Sequence, residues 1–149
     1  MNILGIDPGA SGALVILQNN TPIEWMLMPT ITVGAANRVN GAEVARFIDW
    51  IGCEHAFIEK VGAMPGQGVA SMFNFGHNVG TVMGVLQTLN ISHTLVTPQS
   101  WKKRAGLIGK DKDAARSRAT QLWPTWDVLS KKGTGQALAD AALIARFGL

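Results

Sequence analysis

Apolar positions near the start of the chain fall in three short bursts. Met1 to Ile6, Gly12 to Gln18 and Thr21 to Met28 are each of strand length, and turn residues separate them at Pro8-Gly9 and Asn19-Asn20. This pattern predicts three consecutive antiparallel strands. From Asn40 the period changes: Val44, Phe47, Ile48 and Ile51 recur at helical spacing, with Asn40 placed as a cap and Glu43 three residues on, where a capping box wants it. The apolar run His55 to Glu59 predicts a fourth strand, followed by a glycine-rich, mobile loop from Gly62 to Gly68. Val69 to Leu89 reads as a long helix, Thr94 to Thr97 as a fifth strand, and Thr97-Pro98 as the cap and first position of a short helix through Trp101. Two further helices are expected, from about Asp111 to Trp123 and from about Gly135 to Phe147, with Gly148 as terminator.

Three strands followed by strands alternating with helices specify an α/β fold. The expected sheet is mixed and five-stranded, three antiparallel strands plus two further ones, flanked by helices rather than purely parallel. At 149 residues the chain has the length of a single domain, 1–149, able to bury one core. Hydrophobic residues at 47% against 15% charged exclude a disordered chain. The longest apolar stretches, such as Thr81 to Leu89, are too short for a bilayer, so no membrane association is expected. Cys53 stands alone and the first residues lack the pattern of a signal segment, which fits a reducing, cytoplasmic compartment. A net charge of +3 favours a polyanionic partner.

Three acids stand where chemistry is done. Asp7 closes the first strand before Pro8-Gly9, Glu59 closes the fourth, and Asp140 interrupts a helix otherwise made of Ala137, Leu138, Ala139, Ala141, Ala142, Leu143 and Ile144. Each has a plain alternative: a turn-forming Asp, a solvated ion pair with Lys60, an acid facing water between alanines. A charge among apolar neighbours is costly without a cation or hydrogen bonds. Three carboxylates meeting at one end of a sheet form a hard oxygen site suited to Mg²⁺, with Mn²⁺ able to substitute.

The wording of these segments is specific. Ile3-Leu4-Gly5-Ile6-Asp7-Pro8-Gly9 resembles the first motif of RuvC-like Holliday junction resolvases, Ile58-Glu59-Lys60 the second, and Ala139-Asp140-Ala141-Ala142-Leu143-Ile144-Ala145 the last. The resemblance covers nearly the whole chain in element order. It implies a ribonuclease H-like fold, a homodimer, and structure-selective cutting of four-way DNA junctions with Asp7, Glu59 and Asp140 as catalytic metal ligands. The family usually carries a fourth metal-binding residue three places before the last Asp; Ala137 stands there in this chain. Gln136, Asp127 or a water are the open substitutes.

Basic residues follow the short helix: Lys102, Lys103 and Arg104, then Lys110 and Lys112 around Asp111. They resemble the family's lysines near the scissile phosphate, and Lys112 with one of Lys102 or Lys103 is the expected source of phosphate contact and charge stabilisation. Arg116 and Arg118 extend the patch, at positions that suit exposure. Phe73 and Phe75 follow the mobile loop and are candidates to wedge against unstacked bases, with core packing as the plainer role for at least one. Gly76, Gly80 and Gly84 share a stripe, either for close packing on the sheet or for a second copy of the chain. His55, His77, His93 and Cys53 show no metal-binding spacing and are read as structural. Trp50, Trp101, Trp123 and Trp126 are expected in the core.

The leading reading is a Mg²⁺-dependent endonuclease acting on branched DNA, especially four-way junctions. Alternatives are a flap, fork or RNA–DNA nuclease, or a noncatalytic protein that binds branched DNA. An actin-like nucleotide-binding protein is disfavoured because the chain is too short for two lobes.

Overall fold

The computed structural model describes residues Met1–Leu149. Strands β1 (Asn2–Asp7), β2 (Ala13–Gln18) and β3 (Thr21–Leu27) form an antiparallel meander. After them come a short hairpin of β4 (Thr30–Val33) and β5 (Ala36–Val39), helix α1 (Gly41–Ile51), strand β6 (His55–Glu59) and helix α2 (Val69–Thr88). Strand β7 (His93–Val96), helices α3 (Pro98–Ala105) and α4 (Asp113–Leu122), a 3₁₀ turn at Asp127–Ser130 and helix α5 (Lys132–Phe147) complete the chain. The main sheet has the order β3-β2-β1-β6-β7, with β1 parallel to β6 and β6 parallel to β7. The five-stranded mixed sheet expected from the sequence is therefore present.

Strand alternation sorts the core into two layers. Ala13, Val15, Leu17 and Phe57 face α5 and pack with Leu138, Ala141, Ala142 and Ala145. Leu4, Ile6, Leu14, Ile16, Ala56 and Ile58 face the other way, against Val44 and Ile48 of α1 and Val82 and Leu86 of α2. Because side chains alternate with a period of two, Asp7 and Glu59 share the face of Gly5 and Phe57, the face covered by α5.

Helix α5 lies unusually near β1. A Cβ at Gly5 would overlap the carbonyl oxygen of Ala141 and lie 2.7 Å from the Ala145 nitrogen. Only glycine opposite alanines permits this approach, and it brings Asp140, the residue before Ala141, to the end of β1.

Several expectations need correction. The hairpin β4–β5 was not foreseen; its strands are four residues long, β4 is wholly exposed, and Gly34 at φ +61° supplies the turn. It is fastened to α2 by Asn78, which accepts from the Val39 amide at 2.9 Å and donates to the Asn37 carbonyl at 3.1 Å. Helix α5 begins at Lys132 rather than near Gly135, and Gly135 answers instead to the Leu129 carbonyl, 2.7 Å from where its Cβ would be. Gly148 does follow the last helical residue, as expected, but at a φ of −72° rather than in a left-handed turn, and its lack of a side chain makes room for Phe57. Trp50 is 76% exposed, whereas Trp101 and Trp123 are buried and Trp126 half-buried. The glycine stripe does not pack on its own sheet, since a Cβ at Gly76, Gly80 or Gly84 would meet nothing within 4 Å.

Candidate active site

Register places the first two acids side by side. Ile6 of β1 pairs with Ile58 of β6 in parallel, so the next residues, Asp7 and Glu59, emerge together at the carboxyl ends of adjacent strands. The Pro8–Gly12 turn holds Asp7 in place: the Gly9 amide is near enough to favour its ionised form, and Gly12 leaves no room for a side chain against the Asp7 carbonyl. Asp140 approaches from α5.

Electrostatics show the three acids acting on one another. Burial pushes the Asp7 carboxyl up to about 6, with the charge of Glu59 adding to the rise and the Gly9 amide and Lys102 opposing it. Asp140 is pushed up to about 7, first by burial, then by Asp7 and Glu59, against the pull of Lys102 and a hydrogen bond from Gln136. No ion pair compensates any of them; the chain's one ion pair, Arg46 with Glu43, lies on α1. The oxygens nonetheless do not close into a group tight enough to enclose a metal ion. Two neutral donors hold carboxylates in their present positions: the Trp101 indole Nε1 donates to Glu59 Oε2 at 2.7 Å, and Gln136 Nε2 donates to Asp140 Oδ1 at 3.2 Å.

Beside Asp140 opens a cleft of about 330 Å³, lined by Lys102, Lys110, Asp111, Lys112 and Gln136, with Leu107 and Ala115 at its base. Thr97 Oγ1 caps α3 by accepting from the Ser100 amide at 3.2 Å, and this helix delivers Trp101 inward and Lys102 to the cleft. Asp111 Oδ1 accepts from the Ala114 amide at 3.1 Å and so caps α4, which fixes the segment carrying Lys110 and Lys112.

The other candidates divide. Lys103 is exposed and does not line the cleft. Arg104 donates to the Phe147 carbonyl at 3.0 Å. Arg116 and Arg118, expected to be exposed, are half-buried and tied into the fold: Arg116 donates to the Leu129 and Ser130 carbonyls and Arg118 to the Ala105 carbonyl. Phe73 is 67% exposed on α2, with the Arg38 guanidinium 5.7 Å from its ring centre. Phe75 is half-buried near Gly9. His55 bonds to Ser92 and Thr94, and His93 to the Ile91 carbonyl, as structural histidines do. Asp127 is exposed and outside the cleft.

Two residues beside candidate positions escaped sequence reasoning, Trp101 next to Glu59 and Arg38 next to Phe73. Trp101 was expected only to fill the core; its signal was the need of a buried indole N–H for an acceptor. Arg38 lies on the unforeseen hairpin and left no signal at all.

No family model and no curated protein matches this sequence. Solved structures do match. A Thermus thermophilus RuvC in complex with a Holliday junction substrate superposes with a TM-score of 0.68 at 15% identity, covering 97% of this chain and 90% of that one. A second Thermus thermophilus RuvC structure gives 0.63 at 16% identity over 99% and 97%. Over nearly its whole length, therefore, the chain has the ribonuclease H-like fold seen in RuvC.

Proposed function

We propose that this chain is a metal-dependent endodeoxyribonuclease that cuts branched DNA, four-way junctions above all. The observation that carries the reading is a set of three partly buried carboxylates without a paired cation, next to a cleft lined by three lysines. Uncompensated negative charge at such a place is costly to the fold and is relieved by a hard cation. One of the similar structures holds a Holliday junction, which supports the choice of substrate.

Asp7, Glu59 and Asp140 would hold the cation, Mg²⁺ or Mn²⁺, and their all-oxygen donor set fits it. When bound, such ions activate water for attack on phosphorus and stabilise the departing oxygen. Lys102 and Lys112 contact the phosphate and balance the charge that grows on it, and Lys110 holds the backbone nearby. Phe73, exposed at the start of α2, stacks on a base unpaired at the branch point. The exposed glycine stripe of α2 supports a homodimer, in which two such sites face one junction. A cytoplasmic location accompanies this reading.

One observation favours a second reading. Ala137 offers no ligand, and the three acids do not close around an ion, which is what a noncatalytic junction-binding protein would have. The two separate in one assay: labelled four-way junctions, flaps, forks and RNA–DNA duplexes incubated across Mg²⁺ and Mn²⁺ concentrations. Paired nicks in junctions, lost in Asp7→Asn and Glu59→Gln, are expected. Salt-sensitive binding with no cutting at any metal concentration would establish the second reading instead.

A further inference from the structure

Trp101 is 1% exposed, and its only polar atom ends on the second acid of the site. A buried indole requires an acceptor, but a main-chain carbonyl would serve: Trp123, the other buried tryptophan, donates to the Asn20 carbonyl at 2.8 Å, in the turn at the opposite end of the sheet from Asp7. At Trp101 the acceptor is instead a charged side chain 42 residues away in sequence, reached by a 2.7 Å bond. From the geometry we infer that Trp101 is a positioning residue for Glu59, fixing Oε2 and leaving Oε1 to bind the cation. This inference rests on the metal-dependent reading above.

The Glu59 side chain makes no other hydrogen bond. Its side chain has three rotatable bonds, and an unanchored carboxylate beside Asp7 and Asp140 would swing away from their charges. The indole prevents this with a neutral donor: it fixes direction without cancelling the charge that attracts a cation. A lysine or arginine in the same place would fix Glu59 and also compete with the metal. The anchoring is rigid because Trp101 is wedged into the α5-side core. The same short helix carries Lys102, whose ammonium lies 5.5 Å from the Trp101 ring centre. One side chain thus fixes the relation between Glu59 and Lys102: Oε2 is committed to the protein, and Oε1 would be the oxygen left to hold an ion.

Outer partners of metal ligands commonly contribute about 10- to 100-fold in metal affinity. Trp101→Phe keeps an aromatic ring in the core and removes the N–H. Mn²⁺ titrated calorimetrically should bind this variant about 10-fold or more weakly than the wild type. Junction cleavage should fall by a similar factor at low metal and recover at saturating metal. Trp123→Phe is the matched control: it removes the other buried indole bond and should lower the melting temperature while leaving Mn²⁺ affinity as it was. If Trp101→Phe fails to fold, the wild type with ¹⁵N-labelled indoles replaces it: the N–H resonance displaced by Glu59→Gln should also move as Mg²⁺ is added. Wild-type affinity in Trp101→Phe, or an indole spectrum that Mg²⁺ leaves unchanged, overturns the inference and leaves the nuclease reading standing. A wild-type protein that neither binds Mn²⁺ nor cuts overturns both.

Discussion

The two faces of the central sheet are built on opposite plans. On the α5 face, Gly5 and the alanines of α5 bring main chain against main chain, so closely that no additional carbon fits. On the α2 face the helix is held by Val82, Leu86 and the Asn78 bonds to the hairpin, while Phe73 and the glycines of its outer side face open space. All three acids sit on the first face, where the proposed metal ligands would be held fixed. The second face keeps its free surface at the start of α2, where contact with something outside the chain is possible. A rigid layer sets the chemistry, and the looser layer presents a surface.

The sharpest way to break this contrast is to add one carbon to the tight side. Gly5→Ala would drive a methyl into the Ala141 carbonyl, and backbone on both sides cannot swing away. Overpacking commonly costs about 1–3 kcal/mol, and an unyielding neighbour places this case at or above the top of that range. Chemical denaturation should show the loss. Any folded residue of the variant should cut junctions poorly, because Asp7 and Asp140 are set by the same approach.

Removing charge from the tight side should separate stability from activity. An acid whose carboxyl is raised in the folded state binds more protons there than when unfolded. The contribution of these two acids to the stability of the metal-free protein is thus complete below about 4 and is lost as pH climbs through about 6 for Asp7 and about 7 for Asp140. Melting curves between pH 4 and 8 should show this decline. Mg²⁺ should reverse it at the alkaline end, by about 2.7 kcal/mol at 100 times its dissociation constant. Asp140→Asn should flatten the decline and reduce cleavage by roughly 10²-fold or more, since it removes a ligand rather than its support. A metal-free melting temperature independent of pH would contradict the raised carboxyls of Asp7 and Asp140, which burial produces first and the neighbouring acids second.

How far the sequence reveals this arrangement depends on the range of each signal. Strands β1, β2 and β6 were legible because alternation and turn residues act locally, and Asn40 and Thr97 do cap their helices as expected. The capping box is only half made, because Glu43 turns to Arg46 rather than back to Asn40. Asp7, Glu59 and Asp140 were legible because acids at strand ends and in an alanine-rich helix break the apolar pattern. The hairpin was not: short exposed strands leave no periodic trace. Nor was the Trp101–Glu59 bond, which joins distant segments through tertiary packing. The glycines were harder to read. Gly148 was read as a helix stop, yet its bareness answers to Phe57 from β6, and the α2 stripe, read as a surface for the sheet or for a second copy, meets no other part of the chain.

On the looser face, Phe73 tests whether exposure serves binding. Phe73→Ala removes no core contact, so the melting temperature should hold. Junction affinity should drop by about 1–3 kcal/mol if a base stacks there. Linear duplex offers no unpaired base and should bind as before. Equal loss on both substrates would assign Phe73 to general backbone affinity through its neighbour Arg38.

The smallest change asks what the open stripe faces. Within one chain, Gly80→Ala meets no atom, and alanine is the better helix former by up to about 1 kcal/mol. A lone protomer should therefore gain that stability. If a second copy packs on the stripe, the added methyls meet across the interface, and sedimentation should show a weakened dimer even as the helix itself is strengthened. The sign of the change in melting temperature with protein concentration distinguishes the two, since only an assembled protein melts higher when concentrated. A variant that gains stability and keeps its association state would show that no second copy packs on the stripe.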